Sequence, residues 1–241
     1  MPPKWIEAKL TEIKPVTDKI RNFYLTLNDE DRFGFLPGQF VTFDLPVSEK
    51  RLQRWKSYSI ANRPDGSNTL EFCIVHLDGG LGSGYLFNEV QPGSLLRFKG
   101  PDGIFTLKEP LDYDLVMLCT GTGVAPFKSM LDHIFHHNIP HRQLHLIFGT
   151  RKEEDILYRK EFEEYAAVHP EFRYDVVLSR QENWPGYKGH IHQVYLKEYA
   201  ETRPDVRFMI CGWSQMSDQA TEYLTQKCGY EKSQVHCELY G

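Results

Sequence analysis

Two glycines one residue apart, Gly121 and Gly123, follow directly on the apolar run 115–119 and lead into Val124, Ala125 and Pro126. With Thr120 and Thr122 they make a turn whose backbone N–H groups can approach a pyrophosphate with no side chain in the way. Pro126 suits the first turn of a following helix, where its missing N–H is not needed. It also stands where the usual dinucleotide fingerprint has a third glycine, and a turn of this kind can serve only to seat a helix on a strand. Further along, Ser179 and Arg180 close the run 174–178, with Lys188 and His190 beyond them. A guanidinium beside a hydroxyl at a strand end suits a ribose 2′-phosphate, whereas a carboxylate there would suit free ribose hydroxyls. His133, His136, His137, His141 and His145 lie close together, and His133 and His137 share a helix face. No carboxylate completes an HExxH-like set, so the stretch reads as a histidine-rich surface helix and no metal is expected.

These residues need particular elements to hold them. Up to about residue 110, apolar residues mark short strands at 4–14, 20–27, 39–45, 55–60, 69–75 and 95–99. Turn signals such as Leu36-Pro37-Gly38 and Gln91-Pro92-Gly93 divide them. Six such strands predict an antiparallel β-barrel, with one short helix at 84–89. After Pro110, compact apolar runs at 115–119, 144–148, 174–178, 208–211 and 234–239 alternate with helical stretches at 125–137, 158–167, 192–200 and 217–227. That alternation predicts an α/β doubly wound domain on a parallel five-stranded sheet. The expected division is 1–110 and 111–241.

The composition limits what such a molecule can do. Among 241 residues, 28 Lys and Arg oppose 33 Asp and Glu, a net charge of −5, which argues against a nucleic-acid partner. Hydrophobic residues at 41% and charged residues at 25% are those of a globular protein, not a disordered chain. No apolar run reaches the ~20 residues of a membrane span, and the N-terminus lacks a signal-peptide core. The five cysteines are odd in number, widely spaced and without a CxxC pair. They suit neither a zinc site nor a Cys-ligated iron–sulfur cluster, and a reducing cytoplasm is the expected setting.

Further motifs stand in a fixed order along the chain. They are Pro37-Gly38-Gln39, Lys56-Ser57-Tyr58-Ser59, the glycine-rich stretch 79–84, Gly100-Pro101-Asp102-Gly103, the turn 121–127, Gly149-Thr150-Arg151, Ser179-Arg180, Cys211-Gly212 and Glu238-Leu239-Tyr240. In this order they resemble the ferredoxin–NADP reductase family in its form without an iron–sulfur domain. The resemblance implies an FAD-binding barrel at 1–110 and an NAD(P)-binding α/β domain at 111–241. It implies hydride transfer between NAD(P)H and FAD, and passage of single electrons to or from a carrier protein such as ferredoxin or flavodoxin. The basic stretch Lys50, Arg51, Arg54 and Lys56 reads as a solvated strand edge, or as a patch steering an acidic carrier.

The resemblance also assigns residues. It implies FAD contacts at Lys56, Tyr58, Ser59, Ile74, Val75, Gly82, Ser83 and Tyr240. Lys56 stands where the family has arginine, which loses the bidentate fork, and Arg54 is expected on the same strand face as a substitute. Nucleotide contacts are implied at Thr120, Gly121, Thr122, Gly123, Pro126, Arg151, Ser179, Arg180, Lys188, Cys211 and Gly212. The catalytic set would be Ser59 near the flavin, Cys211 near the nicotinamide, Glu238 in proton delivery and Tyr240 as an aromatic cover. Gly241 extends the chain one residue past the family's terminal tyrosine, and His76 and His190 stand at further points of departure. The expected nucleotide is NADPH, with NADH as the alternative. The same chemistry would serve a reductase component delivering NADH electrons to an oxygenase or haem protein. A non-catalytic flavin redox sensor is a third reading, disfavoured by a hydride site it would not need.

Overall fold

The computed structural model describes residues 4–28 and 33–240, with Leu239 and Tyr240 described by backbone alone; Gly241 lies outside the described residues. The chain divides into two compact units, Met1–Thr106 with Ala125–His133, and Leu107–Val124 with Ile134–Gly241.

In the first unit the strands are β1 (Trp5–Pro15), β2 (Ile20–Leu27), β3 (Phe40–Asp44), β4 (Trp55–Ser59), β5 (Thr69–Val75) and β6 (Leu95–Asp102). Two short helices, α1 (Arg51–Arg54) and α2 (Leu81–Asn88), interrupt them. The sheet is antiparallel in the order β4-β3-β6-β1-β2-β5, as the six-strand reading expects. Alternation builds it: Phe23, Leu25 and Leu27 of β2 enter the core while Tyr24 and Thr26 remain half-buried. Phe43 is the aromatic hub, with its ring 5.2 Å from Phe72, 5.6 Å from Phe98 and 5.8 Å from Tyr58. Gly38 turns the chain at φ +98°, where a Cβ would strike the Phe105 carbonyl and Met130.

The first turns of α3 (Ala125–His136) are held within this unit by buried polar groups. Lys128 Nζ donates to Asp132 at 2.7 Å and lies 3.7 Å from Glu71, which accepts from Asn22 Nδ2 at 2.9 Å. Ser129 Oγ donates to the Asn62 carbonyl at 2.7 Å. Buried charges of this kind are tolerable only because each is paired.

The second unit holds β7 (Asp114–Thr120), β8 (Leu144–Thr150), α4 (Arg159–Val168), β9 (Phe172–Leu178), β10 (Tyr187–Lys188), α5 (His192–Glu198), β11 (Val206–Trp213), α6 (Ser214–Glu222) and β12 (Val235–Tyr240). All neighbours are parallel, in the order β10-β9-β8-β7-β11-β12. The sheet therefore has six strands where the sequence predicts five. The addition is β10, whose two residues are too short to show any period. The order reverses between β7 and β11, the position at which doubly wound sheets open a crevice for ligands. Among the described residues no helix is long and apolar enough to cross a membrane.

His145 of β8 does not share the exposed position of His136 and His137, nor the half-buried one of His133 and His141. It is buried, with Nδ1 2.7 Å from Tyr199 Oη and Nε2 2.9 Å from Asp175. Burial holds Tyr199 protonated, so its hydroxyl donates to Nδ1 and Nε2–H donates to Asp175. Burial, outweighing the attraction of Asp175, lowers the His145 pKa. In the unfolded chain the imidazole titrates near 6.5, so the unfolded state binds the proton first as pH falls. The stability this confers is complete above that range and is lost as pH falls below it. Urea unfolding at ~pH 7 and ~pH 5 should show the parent losing more stability than His145→Gln. Equal losses would contradict the assignment.

Candidate functional site

The register of the parallel sheet gathers the nucleotide candidates along its carboxyl edge. Lys188 lies opposite Leu178, and Leu178 opposite Thr150. Gly149 lies opposite Thr120, Cys119 opposite Cys211, and Cys211 opposite Glu238. Arg151, Ser179, Arg180 and the turn 121–124 continue from those strand ends, and Trp213 pairs with Tyr240 at the last rung.

The turn itself is shaped by close approach. Gly121 adopts φ +54°, and Gly121–Val124 forms a single 3₁₀ turn before α3. A Cβ on Gly123 would collide with the carbonyl of Cys211 and come within 2.7 Å of Gly212 Cα. A Cβ on Gly212 would lie 2.5 Å from Thr120 Oγ1. Thr120 Oγ1 is buried and has no hydrogen-bond partner among the described residues. An orphaned hydroxyl at the mouth of a glycine turn fits a nucleotide diphosphate that would satisfy it. Pro126, buried in the first turn of α3, removes no needed N–H, and Thr122 is half-buried in the turn.

Several arginines of this unit are ion-paired. Arg142 pairs with Asp114 and Asp205, Arg159 with Glu153 and Glu163, and Arg173 with Asp175 and Glu198. Arg151, Arg180 and Lys188 are exposed and have no ion-pair partner among the described residues. They form an anion-receptive set with its counter-charge left open. Ser179 Oγ donates to the Thr150 carbonyl at 3.3 Å, so its hydroxyl proton is already engaged. Cys211 is fully buried in β11, and Glu238 is half-buried in β12. Tyr240 ends β12, and its side chain lies outside the described residues.

In the first unit, β4 carries Lys56 and Tyr58 on one face, while Ser59 takes the opposite parity and is buried. Tyr58 packs edge-on against Phe43, and burial pushes its phenol well above the usual range, so it remains an O–H donor. Lys56 crosses the start of α2: a Cβ on Gly82 would lie 2.7 Å from Lys56 Cγ. A lysine laid over a glycine-bearing first helical turn suits a diphosphate. Ser83 Oγ accepts from Leu77 N–H at 3.1 Å and donates to the Gly80 carbonyl at 3.3 Å, so it braces that turn from within. Ile74 is buried in the core and Val75 half-buried. They lie on β5, an edge strand, so their contribution to a ligand would come from backbone groups.

Arg54 departs from its expected place. Backbone N–H groups of Gln53 and Arg54 both donate to the Lys50 carbonyl, which winds 51–54 into one helical turn. Arg54 thus precedes β4 instead of sharing its face, and its Nε donates to Asp44 Oδ1 at 2.8 Å.

The fold and these two cradles define a flavin- and nicotinamide-dependent oxidoreductase. Residues 7–107 match the family model of the oxidoreductase FAD-binding domain, and residues 117–222 that of the oxidoreductase NAD-binding domain. Ferredoxin–NADP reductase B of Sorangium cellulosum is 33% identical over 97% of both chains. The anthranilate 1,2-dioxygenase electron transfer component of Acinetobacter baylyi is 33% identical over 87% of this chain, which spans only 58% of that protein. A solved ferredoxin NADP+ reductase from Neisseria gonorrhoeae, with bound FAD and NADP, superposes with TM-score 0.81 at 27% identity, covering 98% of each chain. The chain belongs to the ferredoxin–NADP reductase family: it is an NAD(P)H-dependent flavin oxidoreductase with FAD- and NAD(P)-binding domains.

Gly123→Ala tests the turn. Overpacking against the Cys211 carbonyl should cost ~1–3 kcal/mol of stability and weaken NADP+ binding by about tenfold or more. Titration of the parent and the variant with NADP+ would show it, and unchanged binding would mean that the close approach is not part of the site.

Proposed function

We propose that this protein carries electrons between NADPH and a small one-electron carrier of the ferredoxin or flavodoxin kind, in a reducing, cytoplasmic setting. FAD would be held by residues 1–110 and the nicotinamide nucleotide by 111–241. Bound FAD supplies a centre that takes two electrons as hydride and releases them singly. The chain's own residues bind and orient. Lys56 and the first turn of α2 would hold the flavin diphosphate. Tyr58 would lie along the ring system as a rigid aromatic wall. Ser59 would serve near its reactive nitrogen, and the backbone of Ile74 and Val75 along its edge. Thr120 and the Gly121–Val124 turn would hold the nucleotide diphosphate. Arg180, with Arg151 and Lys188, would take the 2′-phosphate. Cys211 and Glu238, opposite each other in the sheet, would flank the nicotinamide, and Tyr240 would cover the flavin.

The observation that carries the NADPH preference is the set of exposed cations at the carboxyl edge without carboxylate partners. A site for NADH would place a carboxylate there for the ribose hydroxyls, and Arg180 provides a guanidinium instead. The acceptor reading rests on the Sorangium relative, which matches end to end. A second reading, a reductase component serving an oxygenase, is favoured by the Acinetobacter relative.

Anaerobic reduction of the yellow holoenzyme by NADPH and by NADH tests both points. NADPH should reduce it at lower concentration. Charge-assisted contacts are worth ~1.5–3 kcal/mol, so Arg180→Ala should raise KM for NADPH about tenfold or more and leave KM for NADH within about twofold. Equal shifts for the two nucleotides would refute the assignment. Reoxidation by ferredoxin or flavodoxin should outpace reoxidation by oxygenase components or haem proteins. The reverse order would favour the second reading.

A further inference from the structure

Two histidines at the carboxyl edge belong to no role described so far. β10 ends at Lys188, and Gly189 N–H donates to the Leu178 carbonyl at 2.9 Å. Arg180 and His190 therefore leave the sheet from neighbouring points, each within two residues of that bond. The His190 and His192 rings are stacked, with centroids 5.4 Å apart and planes 17° apart. The His192 ring meets Tyr223 edge-on at 5.9 Å, and Lys227 Nζ lies 3.5 Å from the centre of the Tyr223 ring. His190 is exposed and His192 half-buried.

Cations flank this pair along the chain and across the sheet. Lys188 precedes it on its own strand, Arg180 leaves the adjacent β9, and Lys227 follows α6. Glu198, on the same helix as His192, is ion-paired with Arg173. Glu222 precedes Tyr223 in sequence and is exposed. Burial, then His190 and then Lys227 lower the His192 pKa, with no carboxylate offsetting them. The charged form of His192 is therefore disfavoured unless an anion joins the pair.

We propose that His190 and His192 form a proton-dependent part of the 2′-phosphate site, so that preference for NADP over NAD falls as pH rises through neutrality. The inference rests on the NADPH reading above and names the side chains that set its pH range. A 2′-phosphate brings close to two negative charges above its second pKa of ~6, which favours the imidazolium forms. Binding is then coupled to proton uptake, and each proton taken up changes affinity by as much as about tenfold per pH unit. NAD carries a hydroxyl at that position and offers no such coupling. Arginine and lysine alone would give the opposite trend near pH ~6, because the phosphate gains charge there while they keep theirs.

The test is calorimetric titration of the FAD-loaded protein with NADP+ and with NAD+ at ~pH 6 and ~pH 8, in buffers of different ionisation enthalpy. NADP+ should bind about tenfold or more weakly at the higher pH and take up protons at the lower one, while NAD+ affinity stays within about twofold. The double substitution His190→Gln with His192→Gln should abolish the NADP+ slope and proton uptake, and retained NAD+ binding verifies its fold. NADP+ that binds tighter than NAD+ by the same factor at both pH values, or a slope that survives in the variant, overturns the histidine role and leaves the NADPH reading standing. NADP+ that binds no tighter than NAD+ at either pH overturns both.

Discussion

The second unit depends on one close approach, the backbone of Gly123 against the carbonyl of Cys211. Only a glycine fits there, and its fit fixes several things at once. It draws the turn after β7 onto the end of β11, across the point where the strand order reverses. It brings Thr120 beside Gly212, leaving the threonine hydroxyl buried and without a hydrogen-bond partner among the described residues. Close packing leaves no slack for a methyl group here, so the turn has one shape, and backbone amides placed by it need no reorganisation when an anion arrives.

Charge is distributed by the same logic. Arginines on the flanks of the second unit are neutralised by carboxylates a few residues or one strand away. At the carboxyl edge Arg151, Arg180 and Lys188 have no ion-pair partner among the described residues, while Lys152 beside them pairs with Glu154. In a chain of net charge −5, the unpaired set Arg151, Arg180 and Lys188 is a local feature. It raises the local concentration of an anionic ligand and makes binding depend on salt. In the first unit, the buried Lys128, Glu71 and Asp132 show the opposite arrangement, a closed set of charges that fixes helix against strand and leaves nothing for a ligand.

Much of this was legible in the sequence because it rests on period and on glycine. The alternation in β2 and the continuous apolar runs of β7 and β8 are strong patterns, and both sheets follow from them. The turn at 120–124 was legible for the same reason. Arg54 was misplaced because a single helical turn inserted before a strand leaves no periodic trace, and α1 carries no buried residue to reveal it. β10 was missed because two residues cannot alternate. The closed hydrogen bonds of Ser83 were not legible either, since they depend on where Leu77 and Gly80 fall in space. The His190–His192 pair was not legible, because β10, the strand that leads into it, left no pattern. Its stacking depends on Tyr223 and Lys227, which arrive from a distant helix.

The central claim is that this chain passes hydride from a reduced nicotinamide to its flavin, and single-turnover reduction tests it most directly. The FAD-loaded protein is mixed without oxygen with one equivalent of NADPH carrying deuterium on either face of C4, and the flavin absorbance is followed. The account predicts complete bleaching, slowed by deuterium on one face and not on the other. A flavin that stays oxidised, or that bleaches at the same rate with either label, would contradict it.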